Sequence, residues 1–486
     1  MFKNEVDRRK FMQALGIGAA AAGMGVSIPQ VVAQSKDGNP IVEDKSQYGK
    51  FLVEKLINGD YPYQIDPKIL GQPGSASPDR KVFEPFEVPE ETKEFFRPAS
   101  VLDRERLVEK GGKVPNFTRL DYAFKDASWW CHNEARGVFP WYTENGGTQE
   151  LGERSRPNWR NLPPWDPQDI EMSWHDASLA MKRAACFYGA SQAGVAELNH
   201  LWIYAQNSEP IEEPHQRPAD QQETEIDPRR YFPNAASGPQ TRSRQRYIPR
   251  DLNRVIVMLF EEDYHAIANS YGRLASAAVG IAYSRMAFTA STLARFINHL
   301  GWRAIASGNG EGLSVPMAID AGLGQLGRNG ILITPKYGPR VRIAKVFTDM
   351  PLVADSPIDF GVDQFCQVCM LCADHCPSLS ITKGGKTWDG LCPRNNPGVY
   401  KWYVQTDSCN AFNDFSCSNC KKVCPFNKPN NFWLHRLIRR TILARSRSLD
   451  KVMVSLDQMS GYGRDLQAAD FWKLNPCQTI TGREPV

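Results

Sequence analysis

FCQVCMLCADHCP, residues 365–377, and SCSNCKKVCP, residues 416–425, decide how the C-terminal part of this chain folds. The first segment spaces its cysteines as Cys-x2-Cys-x2-Cys-x3-Cys-Pro, and the second as Cys-x2-Cys-x3-Cys-Pro. Nine of the 12 cysteines lie between residues 366 and 424. Disulfide frameworks spread through small secreted domains, whereas a tight group of cysteines in a long chain is typical of metal binding. The spacing therefore predicts a metal-binding module.

The two cysteine runs have the spacing of bacterial ferredoxins, in which three cysteines hold one [4Fe–4S] cluster and the fourth crosses to a second cluster. Asp414 stands where the second run should have its leading cysteine, so its fourth ligand is either Cys409 or Cys392, and we favour Cys409. A zinc ribbon is the alternative, but it uses two Cys-x2-Cys pairs rather than two runs that end in Cys-Pro. The predicted ligands are Cys366, Cys369, Cys372 and Cys424 for one cluster, and Cys376, Cys409, Cys417 and Cys420 for the other.

Composition excludes several other classes of protein. The chain has 486 residues, of which 42% are hydrophobic, so it can bury a large core and is not disordered. Its formal net charge of +4 comes without a basic stripe, so we predict no nucleic-acid partner.

Residues 1–34 have the features of a twin-arginine export signal. Arg8 and Arg9 precede an uncharged apolar stretch from Phe11 to Ser35, with small residues near Ala33 for cleavage. Asp7 and Gln13 depart slightly from the usual motif. Four glycines make the stretch a poor membrane span, and it lacks the polar face of an amphipathic helix. We predict export by the twin-arginine translocase to the periplasm or the outer face of the cytoplasmic membrane, with peripheral attachment.

The mature chain is predicted to alternate helices and strands in its middle part, which indicates an α/β core. Apolar spacing predicts helices over 173–189, 284–300 and 314–322, and strands over 194–198, 201–204, 255–260, 303–306, 331–334 and 341–347. The predicted regions are an irregular N-terminal region (35–165), a catalytic core (166–350) with a polar insertion at about 206–250, a two-cluster module (351–436) and a C-terminal segment that packs on the core (437–486).

Several segments outside the cysteine runs carry a family resemblance: LFEEDYHAI (259–267), VGIAYSRMA (279–287), the glycine-rich stretch 308–352 and FGVDQFCQVCMLCADHCP (360–377). Together with the export signal they resemble the respiratory reductive dehalogenases, in particular the tetrachloroethene-reductase branch. The resemblance implies an α/β (α+β) corrinoid-binding core, with a nitroreductase-like sheet flanked by helices, and a ferredoxin-like module near the C-terminus. It also implies a base-off cobamide, two [4Fe–4S] clusters and cleavage of a carbon–halogen bond at reduced cobalt.

The same resemblance implies the catalytic residues. By matching segments, Tyr283 is the proton donor, Arg328 is its partner and Asn309 lines the same pocket. A tyrosine phenol keeps its proton at neutral pH, and a nearby guanidinium would stabilise the phenolate that is left after donation. Taken alone, a tyrosine near a helix usually packs in a core, and an arginine between glycines usually belongs to a capped turn.

The corrinoid is expected to contact the glycine-rich stretch, because glycines let a large planar ligand approach the backbone. This stretch is not a phosphate-binding loop, since no Gly-Lys-Ser/Thr ends it. Asp263-Tyr264-His265 nearly matches the corrinoid motif D-x-H-x-x-G, but Ala268 replaces the glycine, so we interpret His265 as structural. The expected corrinoid contacts are Gly308, Gly310, Gly312, Ser314, Gly322 and Gly324.

The predicted partners are an organohalide substrate, a small membrane-anchor subunit and a respiratory electron donor chain. Two other functions stay open at this point. One is an epoxyqueuosine-reductase-like enzyme, against which the export signal argues; the other is an exported iron–sulfur electron-transfer subunit. Cobalt content separates the enzyme from the electron carrier.

Overall fold

A computed structural model describes residues 38–66 (except 43, 49–51 and 58–60), 172–203, 248, 251–427 (except 271, 301, 310, 393–394 and 414–416) and 446–474 (except 460–462). The predicted export signal, most of region 35–165 and nearly all of the polar insertion lie outside these residues. Among the helices within them, none is long and apolar enough to cross a membrane.

The described residues form nine strands and eleven α-helices. The strands are β1 (Ile41–Val42), β2 (Val53–Lys55), β3 (Gln192–Glu197), β4 (Arg254–Glu261), β5 (Ala304–Ser307), β6 (Gln325–Leu326), β7 (Leu332–Ile333), β8 (Val341–Thr348) and β9 (Ile358–Asp359). The helices are α1 (Lys45–Tyr48), α2 (Trp174–Phe187), α3 (Tyr264–Ala268), α4 (Arg273–His299), α5 (Ser314–Asp320), α6 (Val362–Cys369), α7 (Leu371–Asp374), α8 (Thr406–Asn413), α9 (Asn419–Lys422), α10 (Arg447–Met459) and α11 (Ala468–Phe471).

The core is a four-stranded antiparallel sheet in the order β3-β4-β8-β5. β4 and β8 pair over eight residues, from Arg254 opposite Thr348 to Glu261 opposite Val341. Both faces are covered, which explains why β4 reads as a continuous apolar run rather than an alternating one. Alternate residues of β4 and β8 pack against α2 and α4 on one face, and against α5 on the other. The chain is therefore a mixed helix and sheet protein, as the sequence predicts.

Two local predictions differ from the structure. The segment predicted as a strand at 201–204 begins as a short 3-10 turn, His200–Trp202, because the Asn199 side chain accepts a hydrogen bond from the Leu201 N–H and turns the chain. Helix α4 begins at Arg273 rather than at 284, so Tyr283 lies inside the helix. Gly280 lowers the helix propensity before residue 284, but packing against β5 and β8 stabilises the helix through it.

Short helices form the cysteine module, which we define as the described residues of 362–427. Met370 takes a left-handed conformation (φ 49°) between α6 and α7, and this turns the chain between Cys369 and Cys372. α10 packs on α6, while Ala468 of α11 packs beside α3 of the core. The described residues of 446–474 therefore contact both the module and the core.

Candidate active site

A cavity of about 270 Å³ lies on the α5 side of the sheet. Tyr61 and Tyr63, which come from the N-terminal region, form part of its wall, and so does Trp202. No carboxylate is among its described lining residues. Its polar side chains are Asn309, Ser314, Asn396 and Lys401. A large, mostly apolar pocket with a few polar groups is the usual form of a cofactor or substrate site.

The hydroxyl of Tyr283 is held by two donors, one of which also lines this cavity. The Asn309 side-chain amide donates to the phenol oxygen over 2.7 Å. From β8, Nη1 of Arg342 donates to the same oxygen over 3.2 Å, and the guanidinium carbon lies 4.8 Å from the ring centroid. With two donors on its oxygen, the phenol can give up its own proton, and the phenolate left behind is stabilised by an amide and a positive charge.

Arg328 is not the partner of Tyr283, so that predicted pairing is wrong. Arg328 is buried against the cysteine module, where it donates to the carbonyls of Cys366 (3.0 Å), Thr382 (2.9 Å) and Gly384 (3.0 Å). Its guanidinium lies 4.4 Å from the Trp402 ring centroid. The turn after β6 directs this arginine toward α6, away from α4. Its observed role is to hold the loops around the first cysteine group.

Arg342 could have been found from the alternation along β8. Ala344 and Val346 face α4, so a residue two positions before Ala344 lies on the same face as Tyr283. A charged residue at such a position needs a partner, because burial of an unpaired charge is costly. Lys345 faces the opposite side and donates to Ser314 over 2.8 Å and to the Gly312 carbonyl over 3.2 Å, which fixes the wall of the cavity.

Three of the predicted corrinoid-binding glycines are required by close packing within the protein. A Cβ atom at Gly312 would lie 2.6 Å from the Trp202 carbonyl oxygen, and one at Gly324 would meet the carbonyl of Ile333. Gly322 has φ +66° and faces the Ser356 carbonyl. None of the three is among the residues that line the cavity. Of the other predicted contacts, Ser314 lines the cavity, Gly308 is buried and Gly310 lies outside the described residues.

Four of the predicted ligands surround one space in the cysteine module. Cys366, Cys369, Cys372 and Cys424 line one small cavity, together with Arg328 and Met370. None of the four forms a disulfide. Burial raises the pKa of Cys366 to about 11, and it raises the pKa of Cys369 well above the ordinary value, with a further contribution from Cys366.

The other four predicted ligands also lie together. Burial raises the pKa of Cys409 to about 12, with further contributions from the neighbouring Cys417 and Cys376. Burial likewise raises the pKa of Cys420, and its neighbours Cys417, Cys409 and Cys372 add to the effect. The Sγ atom of Cys392 instead lies 3.1 Å from Oγ1 of Thr406. The structure thus groups Cys409, rather than Cys392, with Cys376, Cys417 and Cys420.

The chemistry of these buried thiols fits ligands of a metal centre. Within the described residues, no group of three or more His, Cys, Asp or Glu side chains is close enough to hold one metal ion. The raised pKa values show that thiolates are unfavourable here without added positive charge, and a coordinated metal supplies that charge because it deprotonates its thiol ligands. Two groups of four cysteines suit two [4Fe–4S] clusters.

Comparison with known proteins identifies the family. No protein-family model matches the chain. The tetrachloroethene reductive dehalogenase of Sulfurospirillum multivorans is 31% identical over 486 residues, covering 97% of this chain and 93% of the relative. The chain belongs to the reductive dehalogenases. The dehalogenase is therefore an oxidoreductase that acts on carbon–halogen bonds, and the resemblance inferred from its motifs is confirmed.

Two other comparisons show more limited likeness to the dehalogenase. The solved structure of an N-terminally tagged catabolic reductive dehalogenase is 21% identical, with a TM-score of 0.49, and the match covers 65% of this chain and 42% of that one. The epoxyqueuosine reductase of Lactococcus garvieae is 29% identical over 130 residues, which cover 25% of this chain. The match over nearly the full length therefore favours dehalogenation over the epoxyqueuosine alternative.

Proposed function

We propose that this dehalogenase reduces an organohalide at a corrinoid bound in the cavity beside α5, with electrons from two [4Fe–4S] clusters and a proton from Tyr283. The observation that carries the proposal is the Tyr283 hydroxyl, which accepts hydrogen bonds from Arg342 and from Asn309, a residue of the cavity wall. The reaction balances as one organohalide, two electrons and one proton giving one hydrodehalogenated product and one halide ion.

The cavity residues fit a corrinoid. A bound corrinoid supplies the reduced cobalt at which the carbon–halogen bond is cleaved. Its broad apolar face suits the aromatic wall made by Tyr61, Tyr63 and Trp202, and its amide side chains suit Asn396 and Ser314. Lys401 has no ion pair among the described residues, so it would meet the phosphate of the cobamide nucleotide loop.

The protein's own part in the chemistry is proton delivery. Tyr283 gives its phenol proton to the carbon that loses halide. Arg342 and Asn309 then hold the phenolate with one charged and one neutral hydrogen bond, until water returns a proton.

The cysteine module brings electrons toward the core. The first group would hold one cluster and the second group the other, with Cys372 adjacent to Cys420 across the two groups. Lys421, which follows Cys420, reaches the buried Glu262 at the end of β4, so the second group is the one in contact with the core near Tyr283.

Substrate and location are also proposals. Chlorinated ethenes are the first substrates to test, since the relative from Sulfurospirillum multivorans is named for tetrachloroethene; haloalkanes and halogenated aromatics are the other classes. Arg8 and Arg9 support export by the twin-arginine pathway, with attachment through a small membrane-anchor subunit that receives electrons from the respiratory chain.

Anaerobic purification followed by metal analysis and turnover tests the proposal. We expect about eight irons and one cobalt per chain, from two [4Fe–4S] clusters and one corrinoid. We also expect chloride release from tetrachloroethene with reduced methyl viologen as the electron donor. Intact clusters in a protein without cobalt, and without halide release, would favour the electron-transfer subunit instead.

A further inference from the structure

Glu262 is a fully buried carboxylate that joins two cations from different parts of the protein. It directly follows β4, and its side chain is 0% exposed. Its Oε1 accepts a hydrogen bond from Nε of Arg342 over 2.9 Å, and its Oε2 accepts one from Nζ of Lys421 over 2.5 Å. Burial alone would raise the pKa of Glu262, but Lys421 and Arg342 outweigh burial and lower it, so the carboxylate is ionised.

The two cations belong to two different functional sites of the enzyme, the proton-donor site and the cysteine module. Arg342 lies on β8 and donates to the Tyr283 hydroxyl, whereas Lys421 lies on α9 next to Cys420. The contacts therefore run without a gap from the second cysteine group, through Lys421, Glu262 and Arg342, to the proposed proton donor.

The geometry gives Glu262 a role beyond attaching the cysteine module to the core. A guanidinium is a rigid planar fork, so fixing one of its nitrogens fixes the direction of the others. Glu262 binds Nε, and this leaves Nη1 directed at the phenol oxygen. Without the carboxylate, Arg342 would keep its charge but lose the contact that sets its orientation, because its side chain is only partly buried.

We propose that Glu262 is a positioning residue for proton donation by Tyr283, and that Lys421 couples the charge on the second cysteine group to that site. The proposal rests on the proposed function, since it requires Tyr283 to be the donor. When an electron adds negative charge to the second cysteine group, it weakens the positive potential that Lys421 and Arg342 create at the phenol, so the phenol retains its proton. When the electron leaves that group, the positive potential is restored and proton donation by Tyr283 becomes easier.

The balance of the reaction is unchanged by this coupling. Two electrons pass through the cysteine groups, one proton leaves Tyr283 for carbon, halide departs, and water returns a proton to the phenolate. Glu262 neither gains nor loses a proton, and it touches no substrate.

The test compares Glu262→Gln with a matched control, Glu261→Gln, in the cofactor-loaded enzyme. Glu261 is also buried and accepts from Nη1 of Arg340 over 3.1 Å, but its ion pair is with Arg340 and not with Arg342. We expect Glu262→Gln to lower kcat by about 100-fold with KM changed by less than about threefold, because a misdirected guanidinium affects the transition state more than binding. Glu261→Gln should leave both kcat and KM close to those of the unsubstituted enzyme.

The midpoint potential of the second cluster is the readout besides activity. It is measured by an electron paramagnetic resonance redox titration. Loss of the Glu262 charge leaves Lys421 uncompensated beside Cys420, so the reduced cluster gains stability and its potential should become more positive in Glu262→Gln. Equal potentials in Glu262→Gln and Glu261→Gln would overturn the coupling.

A double-mutant cycle with Tyr283→Phe separates this inference from the proposed function. In the Tyr283→Phe background, Glu262→Gln should cost no further activity but should still shift the potential. Full turnover in Tyr283→Phe would reject the proposed proton donor itself. A large loss in Tyr283→Phe with an unchanged kcat in Glu262→Gln would reject only the positioning role.

A folding defect is detected by iron content. Should Glu262→Gln not load iron, Glu262→Asp replaces it, since that variant keeps the charge but withdraws the carboxylate from Arg342. We then expect loaded clusters and a lowered kcat. Failure of both variants to load clusters would show that Glu262 only holds the fold together, and would overturn the proposal.

Discussion

Nη1 of Arg342 donates to the hydroxyl oxygen of Tyr283 over 3.2 Å, although the two residues are 59 positions apart in the sequence. One belongs to the sheet and the other to the long helix packed on it, so the pairing exists only in the folded chain. It assigns to Arg342 the place beside the proton donor that the sequence motifs suggest for Arg328.

Substitution of the two arginines should give different defects. Arg342→Gln removes the charged donor to the phenolate, and we expect kcat to fall by about 10²- to 10³-fold while iron content and cluster spectra stay normal. Arg328→Gln removes the donor to three backbone carbonyls around the first cysteine group, so it should lose about four irons per chain. Iron analysis and halide release measure both effects. Normal clusters with lost turnover in Arg328→Gln would return the catalytic role to that residue.

The ligand set of the second cluster can be checked with a pair of cysteine variants. Cys409→Ala should lose the second cluster, because Cys409 lies with Cys417 and Cys376. Cys392→Ala should keep about eight irons per chain, since the Cys392 thiol lies beside Thr406. Iron analysis and electron paramagnetic resonance distinguish the two. The reverse pattern would make Cys392 the ligand.

Lys401 should recognise the anionic part of the corrinoid. Lys401→Gln is expected to weaken cobalamin binding to corrinoid-depleted protein by roughly 10- to 100-fold, the effect of losing a charge-assisted hydrogen bond. Binding of cobinamide, which lacks the nucleotide loop and its phosphate, should not change. Absorbance titrations give both affinities. Equal losses for the two corrinoids would show that Lys401 does not contact the phosphate.

The pH dependence of corrinoid binding follows from the same lysine. Burial lowers the pKa of Lys401 to about 8 in the protein without ligand. Only the protonated ammonium attracts phosphate, so cobalamin affinity should be full below pH 8 and decline as the pH rises through it. In Lys401→Gln this decline should be absent, and its persistence there would assign it to another group.

The cysteine groups could be predicted because the spacing of the ligands is a local feature of the sequence. The two-residue gaps between Cys366, Cys369 and Cys372 fit one turn-like segment, and the crossing of Cys424 to the first group follows from the pairing of the two runs. The strands of the core were also predictable, because β4 is an unbroken apolar run from Val255 to Phe260 and most residues of β8 are apolar.

The contacts around Tyr283 were less accessible, because they depend on register between distant segments. Arg342 meets the helix only through its position on β8, and the Glu262–Lys421 pair joins residues 159 apart. Tyr61 and Tyr63 reach the cavity from the N-terminal region, for which the sequence predicts only irregular structure. The glycines were interpreted as ligand contacts, whereas Gly312, Gly322 and Gly324 are explained by close backbone packing.

Halide release by Tyr283→Phe tests the central claim most directly. Phenylalanine keeps the ring against Arg342 and removes only the hydroxyl, so the corrinoid and both clusters should remain bound. With reduced methyl viologen and tetrachloroethene, we expect chloride release to fall by about 10²- to 10⁴-fold, the usual contribution of a general acid. Turnover equal to the unsubstituted enzyme, at matched cobalt and iron content, would contradict Tyr283 as the proton donor.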